Sequence, residues 1–443
     1  MRRVLLVSPR FPPKSAPELH RARTSLAYYR QFGWEPTVLC VSPQTADGVD
    51  EPPLAEALPA DMNVVSADAW PETTCRRFGF GQLAYRCIGP LHRAGTAVLE
   101  RQKHDVVMFS TTVFLTFALG PLWKRRFGCK LVYDFQDPWY AGKPLPYDSS
   151  NVPGSWWKYR LDQWLAGHLE RYAMAAADHV VSVSQAYVDV LSRRYPRLAR
   201  DDFTVIPFGA DRRDYEFVRT HAVVAPNLSA GGRFHIVAAG RAGRPGSDPV
   251  LHAFFSVLAE SRKCVSASDK PVHLSFVGTS YASDDRAVEA IMPLAREHGV
   301  ADLVEEQPLR IPYYSSLALY DASDAILIFG TASADYTASK LFSCVLSGKP
   351  VLAMVHRDSL LSQIAANIPS VFLATFGDSS QEPKFRARIK EGLAWLRTAK
   401  PDTSRFDEEL RPWSAEELTR LQCAIFDRVC DSDAGAGNRA ALT

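Results

Sequence analysis

The stretch "YTASKLFSCVLSGKPVLAM", residues 336–354, contains the start and end of a helix followed at once by a strand. Ser339 is a good N-cap, because its hydroxyl can accept a hydrogen bond from an amide at the helix start. Gly348 can close the helix in the left-handed conformation, and Pro350 prevents its continuation. The apolar run 351–354 then predicts a buried strand. A helix that leads directly into a buried strand is typical of an α/β fold.

Lys340 stands in the first turn of this helix, where the helix dipole disfavours a positive charge. A bound anion would compensate the charge, since the amides and partial positive charge of a helix N-terminus attract phosphate. A solvated lysine on an ordinary helix is the alternative interpretation.

The composition is that of an ordinary globular protein. The chain has 443 residues, 47% of them hydrophobic and 23% charged, which is enough for two or three domains. The formal net charge of +2 gives no reason to expect a nucleic-acid partner. Eight cysteines are scattered without a CxxC pair. This pattern predicts neither disulfides nor a zinc site and fits a reducing cytoplasm.

One uncharged run, residues 106–123, approaches the minimum length of a transmembrane helix. It contains glycine, proline and several hydroxyl residues. We therefore expect a strand followed by a buried helix rather than a membrane span.

Apolar strands alternate with amphipathic helices in two series, which predicts parallel sheets with helices on both faces. Ligands of such sheets bind at the carboxyl ends of the strands, and two such domains leave a cleft. Residues 212–232 show little hydrophobic periodicity, which predicts a linker and loop. The predicted organisation is a first domain at 1–211, a second at 212–405, a C-terminal helix at 406–430 and a disordered tail at 431–443.

The loop "AAGRAGRPG" follows the first strand of the second domain and places Gly240 at the strand end. Its glycine spacing and Pro245 do not fit the dinucleotide fingerprint, so we do not expect an NAD site. Arg241 and Arg244, together with Lys340, suggest a clamp for a diphosphate. Surface arginines on a loop are the alternative.

In the first domain, "YDFQDPWY" follows a strand and carries two candidate residues. Asp137 could accept a proton or bind sugar hydroxyls, and Trp139 could stack on a sugar ring. The alternative is an aspartate that caps a turn and a tryptophan in the core. No second carboxylate pair supports a glycosidase. No HExxH or EF-hand pattern predicts a metal site.

A basic segment lies in the same domain, with six Lys or Arg and one acid between Arg76 and His104. Runs at 123–126 and 156–160 combine tryptophan with further basic residues. Such segments suit an anionic membrane surface. An ordinary solvated basic face is the alternative.

Several of these segments, taken together, resemble the retaining GT-B glycosyltransferases that build bacterial surface polysaccharides, of the glycosyltransferase family 4-like kind. The resemblance covers most of residues 1–430. It rests on "RVLLVSPRFPPKSAPELHRARTSLAYYRQFGWEPTVLCV", "LVYDFQDPWY", "ADHVVSVSQAYVDVLSRRYP", "FTVIPFGAD" and "YTASKLFSCVLSGKPVLA", in that order.

This resemblance implies an α/β fold of two facing Rossmann-like domains (the GT-B fold), with a C-terminal helix crossing back to the first. The second domain would bind a nucleotide-sugar donor as substrate, without cofactor or metal, and the first a glycan or lipid-linked acceptor. The implied catalytic residues are Asp137, Arg241 and Lys340. The implied donor-binding residues are Gly240, Arg244, Arg310, Asp335, Ser339 and Ser343. The acceptor-side residues are Lys14, Ser15, His20 and Trp139.

Two positions depart from the family pattern. Ser343 stands where members usually carry a glutamate for the ribose hydroxyls, and Ser15-Ala16-Pro17 replaces a glycine pair. The alternatives are therefore a non-catalytic nucleotide-binding or scaffold protein of the same fold, and a nucleotide-sugar 2-epimerase. The expected location is the cytoplasm, with peripheral attachment to the inner face of the membrane.

Overall fold

The chain forms two compact units in the computed structural model. Unit 1 comprises Met1–Gly209 together with Ala415–Thr443, and unit 2 comprises Ala210–Ser414. The structure describes residues 1–140, 156–226, 228, 231–240, 246–262, 270–280, 287–331, 340–377, 379–380, 382–400, 408 and 410–440, with side chains for all of these except 156–158 and 433–440.

Unit 1 is built on a parallel sheet of seven strands. The strands of this unit are β1 (Arg2–Val7), β2 (Lys14–Ser15), β3 (Trp34–Val41), β4 (Val49–Asp50), β5 (Asn63–Ala67), β6 (Val106–Ser110), β7 (Lys130–Phe135), β8 (His179–Ser182) and β9 (Phe203–Val205). The order in the main sheet is β5-β3-β1-β6-β7-β8-β9, while β2 and β4 form a separate antiparallel pair.

Helices cover both faces of this sheet. They are α1 (Leu19–Ser25), α2 (Pro52–Glu56), α3 (Glu72–Arg77), α4 (Leu83–Arg101), α5 (Leu119–Phe127), α6 (Trp156–Met174) and α7 (Gln185–Arg194), and at the C-terminus α15 (Ala415–Ala440). Side chains along β1 alternate between two core clusters: Val4 and Leu6 belong to one, and Leu5 and Val7 to the other. This alternation is the period of two that a strand buried on both faces requires.

Unit 2 repeats the plan with six parallel strands. They are β10 (Phe234–Ala239), β11 (Val272–Val277), β12 (Val304–Gln307), β13 (Ala325–Phe329), β14 (Val351–His356) and β15 (Val371–Phe376), in the order β12-β11-β10-β13-β14-β15. Its helices are α8 (Arg212–Thr220), α9 (Asp248–Arg262), α10 (Met292–Glu297), α11 (Tyr313–Ala322), α12 (Leu341–Leu346), α13 (Leu360–Ala365) and α14 (Pro383–Thr398).

The segment predicted as a linker and loop, 212–232, begins with a helix, so that prediction is wrong for α8. The Asp211 carboxylate accepts a hydrogen bond from the Arg213 amide at 3.0 Å and so caps the helix start. Tyr215, Phe217 and Val218 are buried. The apolar face of α8 is short and lies among many charged residues, so its helical pattern is hard to recognise in the sequence.

The C-terminal helix packs on unit 1, as the resemblance implied. Within the segment 406–430 the sequence predicts the helix itself at 414–429, and it begins at Ala415, after the extended backbone of Ser414. The helix runs to Ala440, through much of the segment for which the sequence predicts disorder. Residues 401–407 and 441–443, and the side chains from 433 to 440, lie outside the described residues.

The uncharged run at 106–123 forms β6, a 3₁₀ turn and the start of α5, as predicted. Among the residues that the structure describes, no helix has the length and apolar character needed to cross a bilayer.

Candidate functional site

Two glycines with positive φ stand at the carboxyl ends of adjacent strands in unit 2. Gly240 follows β10 with φ +98°, and Gly278 follows β11 with φ +71°. The Gly240 amide donates to the Val277 carbonyl at 2.7 Å, and the Gly278 amide donates to the Gln307 carbonyl at 2.8 Å. A Cβ on Gly278 would lie 3.6 Å from the Cα of Arg310. The backbone is therefore closely packed at the carboxyl ends of β10 and β11, the edge at which ligands of such sheets bind.

Lys340 reaches across the end of β10 towards this glycine pair. Its Nζ donates to the Ala239 carbonyl at 2.7 Å, and a Cβ on Gly240 would lie 2.9 Å from the same Nζ. The structure thus brings together Gly240 and Lys340, which the sequence separates by a hundred residues. Arg310 is exposed beside Gly278 at the same edge.

The helix quoted at the outset, α12, is shorter than predicted and begins at Leu341. Lys340 occupies its N-cap position with helical backbone and no side-chain cap. Gly348 has φ +77°, which confirms the predicted left-handed closure, and the strand β14 follows as predicted. The remaining predicted donor-side residues, Arg241, Arg244, Asp335 and Ser339, lie outside the described residues.

Sequence analysis missed two residues of α8 that hold the donor-side helices. The Tyr215 hydroxyl donates to the Ser343 carbonyl at 2.7 Å, and burial raises the pKa of Tyr215 well above its ordinary value. The buried Asp214 carboxylate accepts hydrogen bonds from the hydroxyls of Tyr313 at 2.8 Å and Tyr314 at 3.0 Å. These contacts join α8 to α11 and α12. Ser343 itself is half-buried.

A sequence signal for these residues does exist. Asp211 and Asp214 have the spacing of an N-cap and the third helical residue, which is close to a capping box. The Tyr313-Tyr314 pair then supplies two phenol donors for one buried carboxylate.

In unit 1, Asp134 lies next to the last residue of β7 and is a buried structural carboxylate. It forms an ion pair with the Arg21 guanidinium, with Nε and Oδ2 2.7 Å apart. It also accepts hydrogen bonds from the Ser110 hydroxyl at 2.8 Å and the Gln136 amide at 2.9 Å. This network fixes the strand end from which the next candidate residue projects.

Asp137 directly follows Gln136 of this network and is an exposed residue. Desolvation of its carboxyl group and the nearby charge of Glu18 raise its pKa. Glu18 is itself buried and pairs with the Arg10 guanidinium at 2.6 Å. Asp137 therefore accepts a proton more readily than an ordinary surface aspartate does.

Trp139 packs against the core and also lines a cavity. Its ring stacks on Phe114 with centroids 5.8 Å apart and an angle of 15° between the planes. It contributes, with Tyr85 and Asp162, to the lining of a cavity of about 200 Å³. The Tyr85 hydroxyl donates to the Asp162 carboxylate at 2.8 Å, so this cavity combines aromatic and polar groups.

The other predicted acceptor-side residues have structural partners. Lys14 forms an ion pair with Asp50 at 2.9 Å, and Ser15 pairs with Val49 in the short β2–β4 ribbon. His20 lines a cavity of about 20 Å³, room for about one water molecule. None of these contacts tests a role in acceptor binding.

Part of the predicted basic and aromatic surface is internal. Arg86 is buried and donates to the carbonyls of Trp70 and Thr45, and Trp123 is buried in the core. By contrast, α3 has no buried residue, and Phe78, directly after it, is 73% exposed. We call the exposed side chains Trp70, Phe78 and Phe80 the aromatic patch. Arg76 and Arg77 are exposed beside it. The side chains of residues 156–158 lie outside those described.

Comparison with known protein families gives one match, confined to unit 1. A family model described as "Glycosyl transferase 4-like domain" matches residues 20–209. No curated protein sequence matches this chain.

Comparison with solved structures covers both units. A glycosyltransferase from Rickettsia africae has 13% identity and a TM-score of 0.57, with 97% of this chain and 98% of that chain covered. Anabaena Alr3699/HepE, solved in complex with UDP, has 15% identity and a TM-score of 0.53, with 99% and 100% covered. A protein from Listeria monocytogenes described as a "putative UDP-N-acetylglucosamine 2-epimerase" has 12% identity and a TM-score of 0.51, with 96% and 95% covered.

At these identities the similarity concerns the fold. The chain has the architecture of the GT-B glycosyltransferases, with two Rossmann-like domains, which confirms the predicted fold class. The family match covers less than half of the chain, within unit 1.

Proposed function

We propose that the protein is a glycosyltransferase that moves a sugar from a nucleotide-sugar donor to a glycan or lipid-linked acceptor. The observation that carries the proposal is the position of Lys340, whose ammonium lies at the carboxyl end of β10 beside Gly240. A fixed cation at that edge suits a diphosphate, which the bond cleavage leaves with additional negative charge. We further propose that the reaction retains the anomeric configuration and needs no metal ion or cofactor.

In this proposal the donor diphosphate contacts Lys340, Arg241 and Arg244. Because Gly240 carries no Cβ, the Lys340 ammonium can lie against its backbone, where the phosphates would bind. Arg310, at the next strand end, faces the base or ribose. Ser339, Ser343 and Asp335 complete the donor contacts. Alr3699/HepE was solved with UDP and with UDP-glucose, so a uridine diphosphate sugar is the first donor to test.

On the acceptor side we propose Asp137 as the group that contacts the attacking hydroxyl. Its raised pKa makes its carboxylate a better hydrogen-bond acceptor and base. The cavity beside Trp139 would hold the rest of the acceptor, with Lys14, Ser15 and His20 on the same side. Aromatic rings interspersed with hydroxyl and carboxylate groups suit a sugar.

The first test is thermal stabilisation by nucleotides without metal. UDP, GDP, TDP, ADP and CMP are compared on the native protein, on Lys340→Met and on Lys349→Met. Ligand that binds only the folded state raises the melting temperature, by about 2–4 °C per kcal/mol for a unit of this size. We expect one nucleoside diphosphate to raise the melting temperature of the native protein but not that of Lys340→Met. Lys349→Met should keep the increase, since Lys349 stands beyond the other end of α12.

The outcomes separate the alternatives. No shift from any nucleotide would refute the proposed donor site. A shift without sugar transfer or sugar epimerisation would favour a non-catalytic nucleotide-binding or scaffold protein. Epimerised nucleotide-sugar as the only product would favour the 2-epimerase, whose fold the chain shares.

We also propose that unit 1 attaches to an anionic membrane through the aromatic patch and the adjacent arginines. Aromatic side chains exposed beside Arg76 and Arg77 match the two components of interfacial binding, apolar insertion and attraction to anionic headgroups. This attachment would bring a lipid-linked acceptor close to the enzyme.

Flotation with vesicles tests the attachment. We expect binding to phosphatidylglycerol-containing vesicles that weakens at high salt, and little binding to phosphatidylcholine alone. The double variant Phe78→Ser, Phe80→Ser should lose most of it. The control Val224→Ser, Val288→Ser removes comparably exposed apolar side chains from unit 2 and should bind like the native protein. Equal binding by both double variants would refute the attachment through the patch.

A further inference from the structure

Two histidines and a glutamate meet where two helices of unit 2 lie side by side. His252 lies on α9, while Glu297 and His298 stand at the end of α10. The Nδ1 atom of His252 is 3.0 Å from the Nε2 atom of His298. A carboxylate oxygen of Glu297 is 3.9 Å from the same Nδ1, and the three ligand atoms lie within 4.8 Å of one another.

The histidines are held in place by the elements that carry them. His252 is flanked on α9 by the buried residues Leu251 and Ala253. The His298 amide donates to the Leu294 carbonyl at 3.1 Å, and Gly299, with φ +68°, ends the helix in the left-handed conformation. Ligands fixed by two separate elements are preorganised for a bound ion.

The geometry is close to that of a transition-metal site. With metal–nitrogen bonds of about 2.0–2.1 Å, two tetrahedral nitrogen ligands are about 3.3 Å apart. The observed 3.0 Å therefore needs to open by only a few tenths of an ångström. The Glu297 side chain is 63% exposed, so it can turn towards the ion without disturbing the core. An open depression lined by His298, Gly299 and Ser256 leaves room for a water ligand.

We propose that His252, His298 and Glu297 bind a divalent transition metal ion of the Zn²⁺ class. Two imidazoles and one carboxylate favour such ions over Mg²⁺ and Ca²⁺, which prefer oxygen ligands. The ion joins α9 to the end of α10 and so stabilises unit 2. The residues of this site differ from those of the proposed donor site, and the proposal does not rest on the proposed function.

The test uses untagged, chelator-treated full-length protein and three measurements: Zn²⁺ titration calorimetry, the visible absorption of bound Co²⁺ and the melting temperature. We expect one equivalent of Zn²⁺, a tetrahedral Co²⁺ spectrum and a higher melting temperature with Zn²⁺ but not with Mg²⁺. His252→Gln and His298→Gln should each weaken Zn²⁺ binding about tenfold or more. Glu297→Gln should weaken it less.

The matched control is His221→Gln. His221 also stands at the C-terminal end of a helix in unit 2, where its ring stacks on Phe217. This variant should bind Zn²⁺ like the native protein. Undiminished Zn²⁺ affinity in both His252→Gln and His298→Gln would overturn the proposal, as would an absent Co²⁺ spectrum. If the circular dichroism spectrum shows that either histidine variant is unfolded, the test rests on Glu297→Gln, because this side chain is exposed. An unchanged Zn²⁺ affinity in Glu297→Gln would also refute the site. The increase in melting temperature caused by nucleotide is measured on the same variants, so that an effect on Zn²⁺ binding can be told apart from an effect on the donor site.

Discussion

Gly240 illustrates how one absent side chain positions a charge. Its φ of +98° is a conformation that other residues avoid, and the space of its missing Cβ is taken by the Lys340 ammonium. The glycine thus permits both the turn and the approach of the lysine. No other residue type meets both requirements.

Gly240→Ala should therefore lose nucleotide binding as well as stability. The left-handed backbone alone costs about 1–2 kcal/mol for alanine. The added methyl also displaces Nζ from its contact with the Ala239 carbonyl. Thermal melting with and without the stabilising nucleotide measures both effects.

The control is Gly232→Ala, at φ +75° with nothing within 4 Å of the added Cβ. It should lower the melting temperature but keep the nucleotide shift. A full nucleotide shift in Gly240→Ala would contradict the proposed role of Lys340.

Sequence alone located Gly240 and Lys340 because strand ends and helix starts follow from local pattern. It could not find Asp214 or Tyr215, because their partners Tyr313, Tyr314 and Ser343 are about a hundred residues away. The same limit applies to Trp123 and Arg86, whose neighbours in sequence suggest a surface and whose contacts bury them.

Among the elements, the strands and longer helices were predicted best. Apolar period and local caps in the sequence predict helices at 185–194, 248–262 and 313–322 and a strand at 325–329. These are the bounds of α7, α9, α11 and β13 in the structure. Helix α6 shows the limit of this reasoning. The apolar residues Leu161, Trp164 and Tyr172 recur on one face of this helix, and all three are exposed. Periodicity reveals an apolar face without saying what covers it.

Strand β8 makes the stability of unit 1 sensitive to acid. His179 at its start is 1% exposed, and its Nε2 lies 2.9 Å from the Thr204 hydroxyl on β9. Burial and the charge of Arg428 lower its pKa to about 3. The unfolded chain binds a proton below about pH 6.5, whereas the folded chain stays neutral, so stability falls as the pH falls from about 6.5 towards 3.

Between pH 7.5 and pH 5, His179 alone should reduce the free energy of unfolding by about 2 kcal/mol. Urea denaturation at the two pH values measures this loss. His179→Gln should show a correspondingly smaller decrease. Some pH dependence will remain, because burial also lowers the pKa of His104. The exposed His221→Gln should behave like the native protein, and an identical pH dependence in His179→Gln would contradict the assignment.

For the chain as a whole, helix α15 completes the core of unit 1. Phe426 is fully buried, with its ring centroid 5.1 Å from Trp34 and 6.1 Å from Tyr29. The Gln422 amide donates to the Ser25 hydroxyl at 2.9 Å and its carbonyl accepts from Tyr29 at 2.8 Å. The two βα series were predictable from the sequence. The pairing of α15 with unit 1 came only from the family resemblance, since no local pattern joins segments four hundred residues apart.

Phe426→Ala should destabilise unit 1 by about 3–5 kcal/mol, the usual cost of a large cavity in a core. Urea denaturation, with and without nucleotide, measures this loss of stability. The nucleotide stabilisation expected from the proposed donor site in unit 2 should persist. Arg420→Ala, exposed on the same helix, should change stability by less than about 0.5 kcal/mol. Loss of the nucleotide shift in Phe426→Ala would show that the donor site depends on unit 1.

The division of unit 1 into two segments also bears on how the protein is made. Residues 210–414 leave the ribosome after most of unit 1 and before its last helix. Unit 2 can thus finish folding while one face of the first sheet, including Val4, Leu6 and Trp34, still lacks Phe426. That face lacks the apolar side chains of α15 until α15 itself has been synthesised. A nascent chain stalled near residue 414 should bind chaperones that recognise apolar segments, and the finished protein should release them.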